Sequence, residues 1–350
     1  MRRSLAIIVV SYNVRDLLRA CLAAALASLA RSPELAATIY VVDNASADGS
    51  AAMVAAEFPS VKLIASPANL GFAGGNNLAL QALGFRDRQP ELPEVAEAPA
   101  GRADFWQRLG VAPETPVDLV LLLNPDAEPT EDAIGLMARF LVEHGEAGGV
   151  GPQLRYPDGR FQHGAFGFPG LLQLWFDLFP PRPAWLLESR LNGRYPRAAY
   201  AAGEPFRVDF VLGASLMVRR EAIEATGLLD GGYFMYAEEV DWCWRMRQAG
   251  WRFYCQPAAM VVHHGGASAR QFRAQSTLNL WRSRQRLYRR FYGPLRRTLA
   301  GFIVQLGMRR EARRALVAAK MGQISAKEAR ERVQAAQDVA ALLARRGREG

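Results

Sequence analysis

Residues 5–10 read Leu-Ala-Ile-Ile-Val-Val, a short unbroken apolar run rich in β-branched residues. A run without polar alternation is what a strand buried on both faces of a parallel sheet requires. The same signal returns at 39–43, 61–65 and 118–123, and helix-like stretches separate the runs at 14–29, 47–57, 74–83 and 130–143. Ser46 or Asp48 stands where the second of these helices needs an N-cap. Strands alternating with helices predict an α/β fold with a doubly wound, mostly parallel sheet. Ligands of such a sheet sit beyond the carboxyl ends of its strands.

The alternation breaks at 86–116, a Pro- and Glu-rich stretch that reads as an insertion loop. Residues 161–187 are crowded with aromatics and prolines, and regular structure is expected again at 206–219. Beyond residue 275, Leu280, Trp281, Leu287, Tyr288, Phe291 and Tyr292 recur at helical spacing, opposite a face rich in arginine. Charge is divided unevenly. Residues 270–350 hold 20 Lys and Arg against 5 Asp and Glu, a net of +15, although the whole chain carries only +9. An acidic body with a basic amphipathic tail suggests docking at an anionic membrane surface. Nucleic-acid binding ranks lower, because the body carries no nucleic-acid module; a helical oligomerisation arm is the plainer alternative. Three cysteines without metal-ligand spacing point to a reducing compartment. Met1-Arg2-Arg3 followed by the first apolar run imitates a signal peptide, but no small-residue cleavage site follows, so a buried strand is expected.

The acidic candidates stand at strand ends. Asp43 closes Val-Val-Asp-Asn-Ala-Ser and Asp126 closes Leu-Leu-Leu-Asn-Pro-Asp. Carboxylates in those places can accept hydrogen bonds from a ribose or a base, or hold a divalent cation. Asn69-Leu-Gly-Phe-Ala-Gly-Gly-Asn-Asn77 is a glycine-rich turn into a helix, able to bring backbone N–H groups against a phosphate or sugar. It matches neither a dinucleotide fingerprint nor a P-loop. Glu238, Glu239 and Asp241 follow Tyr-Phe-Met-Tyr and open a helix expected over 240–249. Acids there complement the helix dipole, and Asp241 with Arg245 is an ordinary i,i+4 pair; a carboxylate crowded by aromatics is also what a general base needs. His263 and His264 follow the strand-like residues 258–262, which makes a metal-ligand role reasonable.

Taken in order, Val-Val-Ser-Tyr-Asn, Val-Val-Asp-Asn, Asn-Leu-Gly-Phe-Ala-Gly-Gly-Asn-Asn, Leu-Leu-Asn-Pro-Asp, Gly-Ala-Ser-Leu-Met-Val-Arg-Arg, Tyr-x-Glu-Glu-x-Asp and His-x-x-Gly-x-Ser resemble glycosyltransferase family 2. The resemblance spans roughly residues 5–270 and is nearest to the rhamnosyltransferase-like enzymes of bacterial cell-surface polysaccharide synthesis. It implies a GT-A fold and inverting, metal-dependent transfer of a sugar such as rhamnose from a dTDP- or UDP-sugar donor to a glycan or lipid-linked acceptor. By the same resemblance Val10, Ser11 and Tyr12 line the base pocket, and Asp43 holds base and ribose. Asn69, Gly71, Asn76 and Asn124 lie against the nucleotide-sugar. Asp126 binds Mg2+ or Mn2+, and His263 completes the metal site with His264 as competitor. Glu239 takes the place where the family usually has an Asp and is the expected base, with Glu238 the alternative. Gly213, Asp241 and Arg245 fall on the acceptor side.

The domain organisation expected is a GT-A domain over 1–270, with a nucleotide-sugar half at 1–150 and an acceptor half at 151–270, then a helical basic extension over 271–350. The expected location is cytoplasmic and peripheral on the inner face of the plasma membrane. The competing function is a non-catalytic nucleotide-sugar-binding scaffold, suggested by Asn124 and Glu239. A dehydrogenase is disfavoured because no G-x-G-x-x-G turn follows the first strand.

Overall fold

A computed structural model describes residues 2–87, 117–265 and 273–344. The expected insertion therefore lies almost wholly outside the described residues, as does the 270/271 boundary. The chain folds as two compact units. One comprises Met1–Phe168, Tyr195–Phe234 and Glu238–Ser268; the other comprises Pro169–Arg194, Met235–Ala237 and Ala269–Gly350. The aromatic segment 169–194 is thus grouped with the tail rather than with the acceptor half.

The first unit is built on one mixed sheet. Strands β1 (Arg3–Ser11), β2 (Leu35–Asp43), β3 (Lys62–Ala65) and β4 (Leu119–Leu123) run parallel in the order β3-β2-β1-β4. Helices α1 (Arg15–Leu29), α2 (Ser50–Glu57) and α3 (Gly71–Ala82) make the crossovers. The sheet continues through β11 (Ser215–Arg219), β6 (Ala147–Arg155), β12 (Arg252–His263) and β5 (Ala127–Pro129). β11 and β5 run against their neighbours, while β12 is parallel to β6. Short strands β7 (Phe161–Gln162) and β9 (Phe206–Val208) pair with β6 and β12, and β8 (Ala165–Phe166) pairs with β10 (Phe210–Val211) in a separate ribbon. Helix α4 (Ala133–Glu143) covers the sheet with α1, and the short α6 (Arg197–Ala201), α7 (Arg220–Thr226) and α8 (Glu238–Gln248) lie later in the chain. The core runs through Leu5, Ile7, Val9, Val41, Leu121, Met217 and Val261, with Leu18, Leu22 and Met137 from the helices above it.

Three local expectations need correction. Helix α2 begins at Ser50, not at 47, and neither Ser46 nor Asp48 caps it. Its N-cap is Gly49 in the left-handed region, while Asp48 accepts from Ser50 N–H and hydroxyl and from Arg15 N–H. Helix α3 begins at Gly71, not Gly74, so most of the glycine-rich motif is the helix's first turns. Helix α8 begins at Glu238, so both candidate bases lie within it.

Strand β6 was not expected at all. Its sequence Ala-Gly-Gly-Val-Gly-Pro carries little β-propensity. Glycine stands there because neighbours approach too closely for a side chain. An added Cβ at Gly149 would meet Phe253 Cε1 at 2.6 Å, and one at Gly151 would meet Val211 Cγ1 at 2.1 Å.

The second unit contains α5 (Leu171–Leu178) and three long helices, α9 (Arg273–Phe291), α10 (Pro294–Lys320) and α11 (Ala326–Ala344). The tail is helical, as expected, and consists of three successive helices. α9 buries Trp281, Leu287 and Tyr288, as its spacing predicts. α5 packs on α10 at Gly307, where an added Cβ would lie 2.7 Å from Leu178 Cδ1. No helix of the described residues is long and apolar enough to cross a membrane.

Gly151→Ala is expected to destabilise the chain by about 1–3 kcal/mol through overpacking, read as a lower midpoint in urea unfolding. Gly145→Ala, where nothing lies within 4 Å of the added carbon, is expected to leave that midpoint in place.

Candidate active site

The parallel strands end level with one another. Ser11 pairs with Asp43 across β1 and β2, Asp43 with Ala65 across β2 and β3, and Val9 with Leu123 across β1 and β4. Strand order reverses between β1 and β4, and it is beyond the carboxyl ends at such a reversal that doubly wound sheets bind their ligands. Around this reversal the described residues leave several buried polar atoms without hydrogen-bond partners: Ser11 Oγ, Asp43 Oδ1, Asn44 Oδ1, Asn76 Oδ1 and Ser215 Oγ. Buried polar groups are nearly always satisfied, so a cluster of exceptions marks a place for a polar ligand.

The other ends of these side chains are tied down. Asp43 Oδ2 accepts from Ser46 N–H at 3.0 Å. Asn44 Nδ2 donates to Gly71 O at 3.0 Å, and Asn76 Nδ2 donates to Phe72 O at 2.9 Å. Asn69 Oδ1 accepts from Gly71 N–H at 2.9 Å, which fixes the entry into α3. Gly71 sits at φ +71° and its missing side chain makes room for Phe234 O, 2.0 Å from an added Cβ. Gly75 lets α3 lie against Val10 and Asn44, both within 3.3 Å of an added Cβ. Val10, Ser11, Asp43, Asn69, Gly71 and Asn76 are thus gathered at one edge, with half-buried Tyr12 next in the chain. Asn77 serves the fold instead. It donates to Leu229 O and accepts from Leu229 N–H, at 2.8 and 3.0 Å. Asn44 was missed in the sequence, although it directly follows Asp43; short Asn side chains in turns are too common to single one out.

Asn124 and Asp126 leave β4 at the same edge. Asn124 N–H donates to Ala214 O, and β5 then pairs antiparallel with the end of β12, setting Ala127 opposite His263. His263 Nε2 lies 3.4 Å from Asp126 Oδ1, with both side chains buried. The imidazole's other nitrogen, Nδ1, meets Gln162 Oε1 at 3.3 Å. His264 points elsewhere, its Nε2 2.8 Å from Glu128 Oε1. Gln162, which orients His263, had no signal in the sequence. Among the described residues no three His, Cys, Asp or Glu side chains cluster as a self-sufficient metal site. A carboxylate and an imidazole whose Nε2 makes no hydrogen bond still fit a divalent cation that takes its remaining oxygens from a bound diphosphate.

The third group lies at the start of α8. The backbone enters this helix through Tyr236 and Ala237, at φ +73° and +66°. Two adjacent left-handed residues that are not glycine cost about 1–3 kcal/mol each and mark a constrained site. Glu238 and Glu239 are both buried. Burial pushes the Glu239 carboxyl above the usual carboxylate range, against the pull of hydrogen bonds from the backbone N–H groups of Gly213, Val240 and Glu239 itself. An added Cβ at Gly213 would fall 3.5 Å from the Phe72 ring and 3.6 Å from Glu239 Cβ, so the base candidate, the Gly-Ala-Ser turn and the first turn of α3 converge there.

Asp241 and Arg245 are turned to the interior. Arg245 Nε donates to Asp241 Oδ1 at 2.6 Å, Tyr233 OH donates to Asp241 Oδ2, and the remaining guanidinium nitrogens donate to Thr226 O and Leu228 O. Their polar atoms are used in fixing α8 to the turn before it.

The glycosyl transferase family 2 model matches residues 6–83. An N-acetylglucosaminyl-diphospho-decaprenol L-rhamnosyltransferase of Mycobacterium tuberculosis is 30% identical over 243 residues, covering 68% of this chain and 70% of the relative. The rhamnosyltransferase WbbL of Escherichia coli K12 is 35% identical over 65 residues, 19% of this chain and 25% of its own. Among solved structures, a mannosyltransferase of Pyrobaculum calidifontis in complex with GDP-Man and Mn2+ superposes with a TM-score of 0.52 at 16% identity, over 99% of this chain and 88% of that one. The sheet order agrees with a GT-A fold, and the mycobacterial likeness extends over two thirds of both chains: the protein belongs to glycosyltransferase family 2, among its rhamnosyltransferase-like members.

Proposed function

We propose that the protein is an inverting, metal-dependent transferase that moves a deoxyhexose of the rhamnose type from a dTDP- or UDP-sugar to a hydroxyl of a lipid-linked glycan. The observation that carries this reading is the Asp126–His263 pair, 3.4 Å apart, at the same sheet edge where Asp43, Asn44 and Asn76 present oxygens without hydrogen-bond partners. The mycobacterial relative, named for an N-acetylglucosaminyl-diphospho-decaprenol, supports an acceptor of that chemical class. Such an acceptor also supports a location at the inner face of a membrane.

In this reading Ser11, Asp43 and Asn44 bind the base and ribose, and the first turn of α3 with Asn76 lies against the donor. Asp126 and His263 would hold Mg2+ or Mn2+, which when bound offsets the negative charge growing on the departing diphosphate. Gln162 keeps the His263 ring turned so that Nε2 faces Asp126. Glu239 accepts the proton of the acceptor hydroxyl as that oxygen attacks the anomeric carbon. A pKa raised by burial moves this base toward neutral pH, where it is better matched to its task. One displacement with no covalent intermediate inverts the anomeric centre. Glu238, one residue earlier, is the alternative base.

The donor site is tested by thermal shift of the full chain with UDP, dTDP, GDP and NAD, each with and without Mn2+. Metal-dependent stabilisation by UDP or dTDP, lost in Asp126→Ala, is expected; no shift with any nucleotide would favour the non-catalytic scaffold. Glu239→Gln is expected to keep donor binding and lower kcat by about 10²–10⁴-fold. A silent Glu239→Gln beside an inactive Glu238→Gln would move the base by one position.

The same substitution has a stability signature. A carboxyl whose folded pKa is raised favours folding while protonated, and that contribution is lost as pH climbs through the folded pKa. Glu239→Gln, which removes the buried charge, is therefore expected to raise the unfolding temperature at neutral pH. The gain should vanish as pH falls below the ordinary value of 4.5.

A further inference from the structure

Of thirteen large apolar side chains exposed among the described residues, eleven belong to the second unit. Four of them line one face of α10: Leu295, Leu299, Phe302 and Leu306, spaced four, three and four residues apart and 74%, 43%, 66% and 38% exposed. The helix already has an inward face, where Ala300, Val304, Gly307 and Met308 are buried. Leu295, Leu299, Phe302 and Leu306 thus form a second apolar stripe that points outward, which an ordinary surface helix does not carry.

The stripe runs into cations. Arg309 and Arg313 continue the same face, three and seven residues beyond Leu306. With Arg310, Arg314 and Arg332 they line a groove of about 710 Å³ that is also walled by Leu306 and Val317. Arg310 donates to Leu178 O and sits over the Phe179 ring at 5.2 Å; Arg332 pairs with Glu328 at 2.8 Å. Arg309, Arg313 and Arg314 make no hydrogen bond or ion pair among the described residues, and a single acid, Glu311, lines the groove with them. Guanidinium groups that outnumber the carboxylates beside them repel one another until an anion with matching oxygens arrives, and phosphate is an anion their forked donors fit.

We infer that this face of the second unit docks on an anionic phospholipid bilayer, the α10 stripe entering the interface and the arginine groove holding lipid phosphates. An outward apolar stripe continuous with a basic cluster is the pattern of a helix lying in a membrane interface. The region's +15 charge complements an anionic leaflet. A second copy of the chain would bring the same positive charge to the same face, and a nucleic acid would leave the leucines of the stripe in water. The inference deepens the proposal of a lipid-linked acceptor and rests on it for its biological sense, but its test needs neither donor nor acceptor.

The full chain is mixed with phosphatidylcholine vesicles, with or without phosphatidylglycerol, and floated at low and raised salt. Co-flotation with phosphatidylglycerol vesicles alone, weakened by salt, is expected. The combined Arg309→Glu, Arg313→Glu and Arg314→Glu variant should lose ~tenfold or more in apparent vesicle affinity. Leu299→Ser with Phe302→Ser should lose the salt-resistant part while keeping the wild-type unfolding temperature, since both side chains are exposed. Equal binding to neutral vesicles, or undiminished binding by the arginine variant, overturns the inference. So does tighter capture of duplex nucleic acid than of vesicles through the same arginines, or a dimer in solution that the serine variant dissociates. Thermal shift with UDP or dTDP on the same variants should match wild type. Its failure in the wild-type chain, with flotation intact, would strike the transferase reading alone.

Discussion

The antiparallel pairing of β5 with the end of β12 is what the meeting of Asp126 and His263 depends on. Asn124-Pro-Asp leaves β4 as a turn, and a turn alone would let the Asp126 carboxylate wander. Three residues of β5 prevent that by closing a ladder in which Ala127, Glu128 and Pro129 face His263, Val262 and Val261. His264 N–H then donates to Asp126 O at 3.0 Å, and Thr130 N–H donates to Met260 O at the far end. Both flanks of Asp126 are fixed by main-chain hydrogen bonds, so the register of two strands sets the distance between a carboxylate and an imidazole 137 residues apart in sequence. β12 is held in turn by β6, and β6 can lie where it does only because Gly149 and Gly151 give way to Phe253 and Val211. The small residues of one strand thus decide the geometry at the end of the next.

At the edge formed by β1, β2 and α3 the constraint is of another kind. Ser11, Asp43, Asn44 and Asn76 each present a buried oxygen with no hydrogen-bond partner among the described residues, where buried polar groups are as a rule satisfied. Unmet buried groups destabilise the folded chain, and they stay because the opposite atom of Asp43, Asn44 or Asn76 is anchored to backbone. The ligand then meets acceptors already aimed, and the ordering is done at folding rather than at binding.

Much of this was legible in the sequence. β1, β2 and β4 are buried on both sides, and parallel burial writes itself as unbroken Val, Ile and Leu runs. Asp43 and Asp126 follow from those runs, because strand ends in a doubly wound sheet are where ligands gather. β6 was illegible for the reason that it works: its glycines record the bulk of Phe253 and Val211, which lie 104 and 60 residues away in the chain. The start of α3 was missed because Gly71 enters it from a left-handed backbone supported by Phe234 O, again a distant partner. His263 and His264 could not be told apart by pattern. Adjacent residues at a strand's end point to opposite sides, and only the pairing with β5 shows which side holds Asp126. The outward stripe of α10 was hidden too, since exposed and buried apolar faces of a helix look alike until its neighbours are known.

The opening turn of α8 shows how one backbone gives neighbouring carboxylates different chemistry. Asp241 is wholly buried, yet it meets Arg245 at 2.6 Å and the hydroxyl of Tyr233, and Arg245 in turn satisfies two carbonyls. Removing one partner of such a pair would strand a buried charge, which confines both to holding the helix in place. Glu239, two residues earlier, is buried too, and main-chain N–H groups are what oppose the desolvation that raises its pKa. A dipole lowers the energy of a carboxylate less completely than a guanidinium does, so burial still holds the Glu239 carboxyl above the usual carboxylate range. The two left-handed residues before the helix fix where that carboxylate stands, and the hydrogen bond from Gly213 ties it to the turn that also meets Phe72. A guanidinium-paired acid that fixes the helix and a buried acid met only by main-chain N–H groups thus stand within a single helical turn.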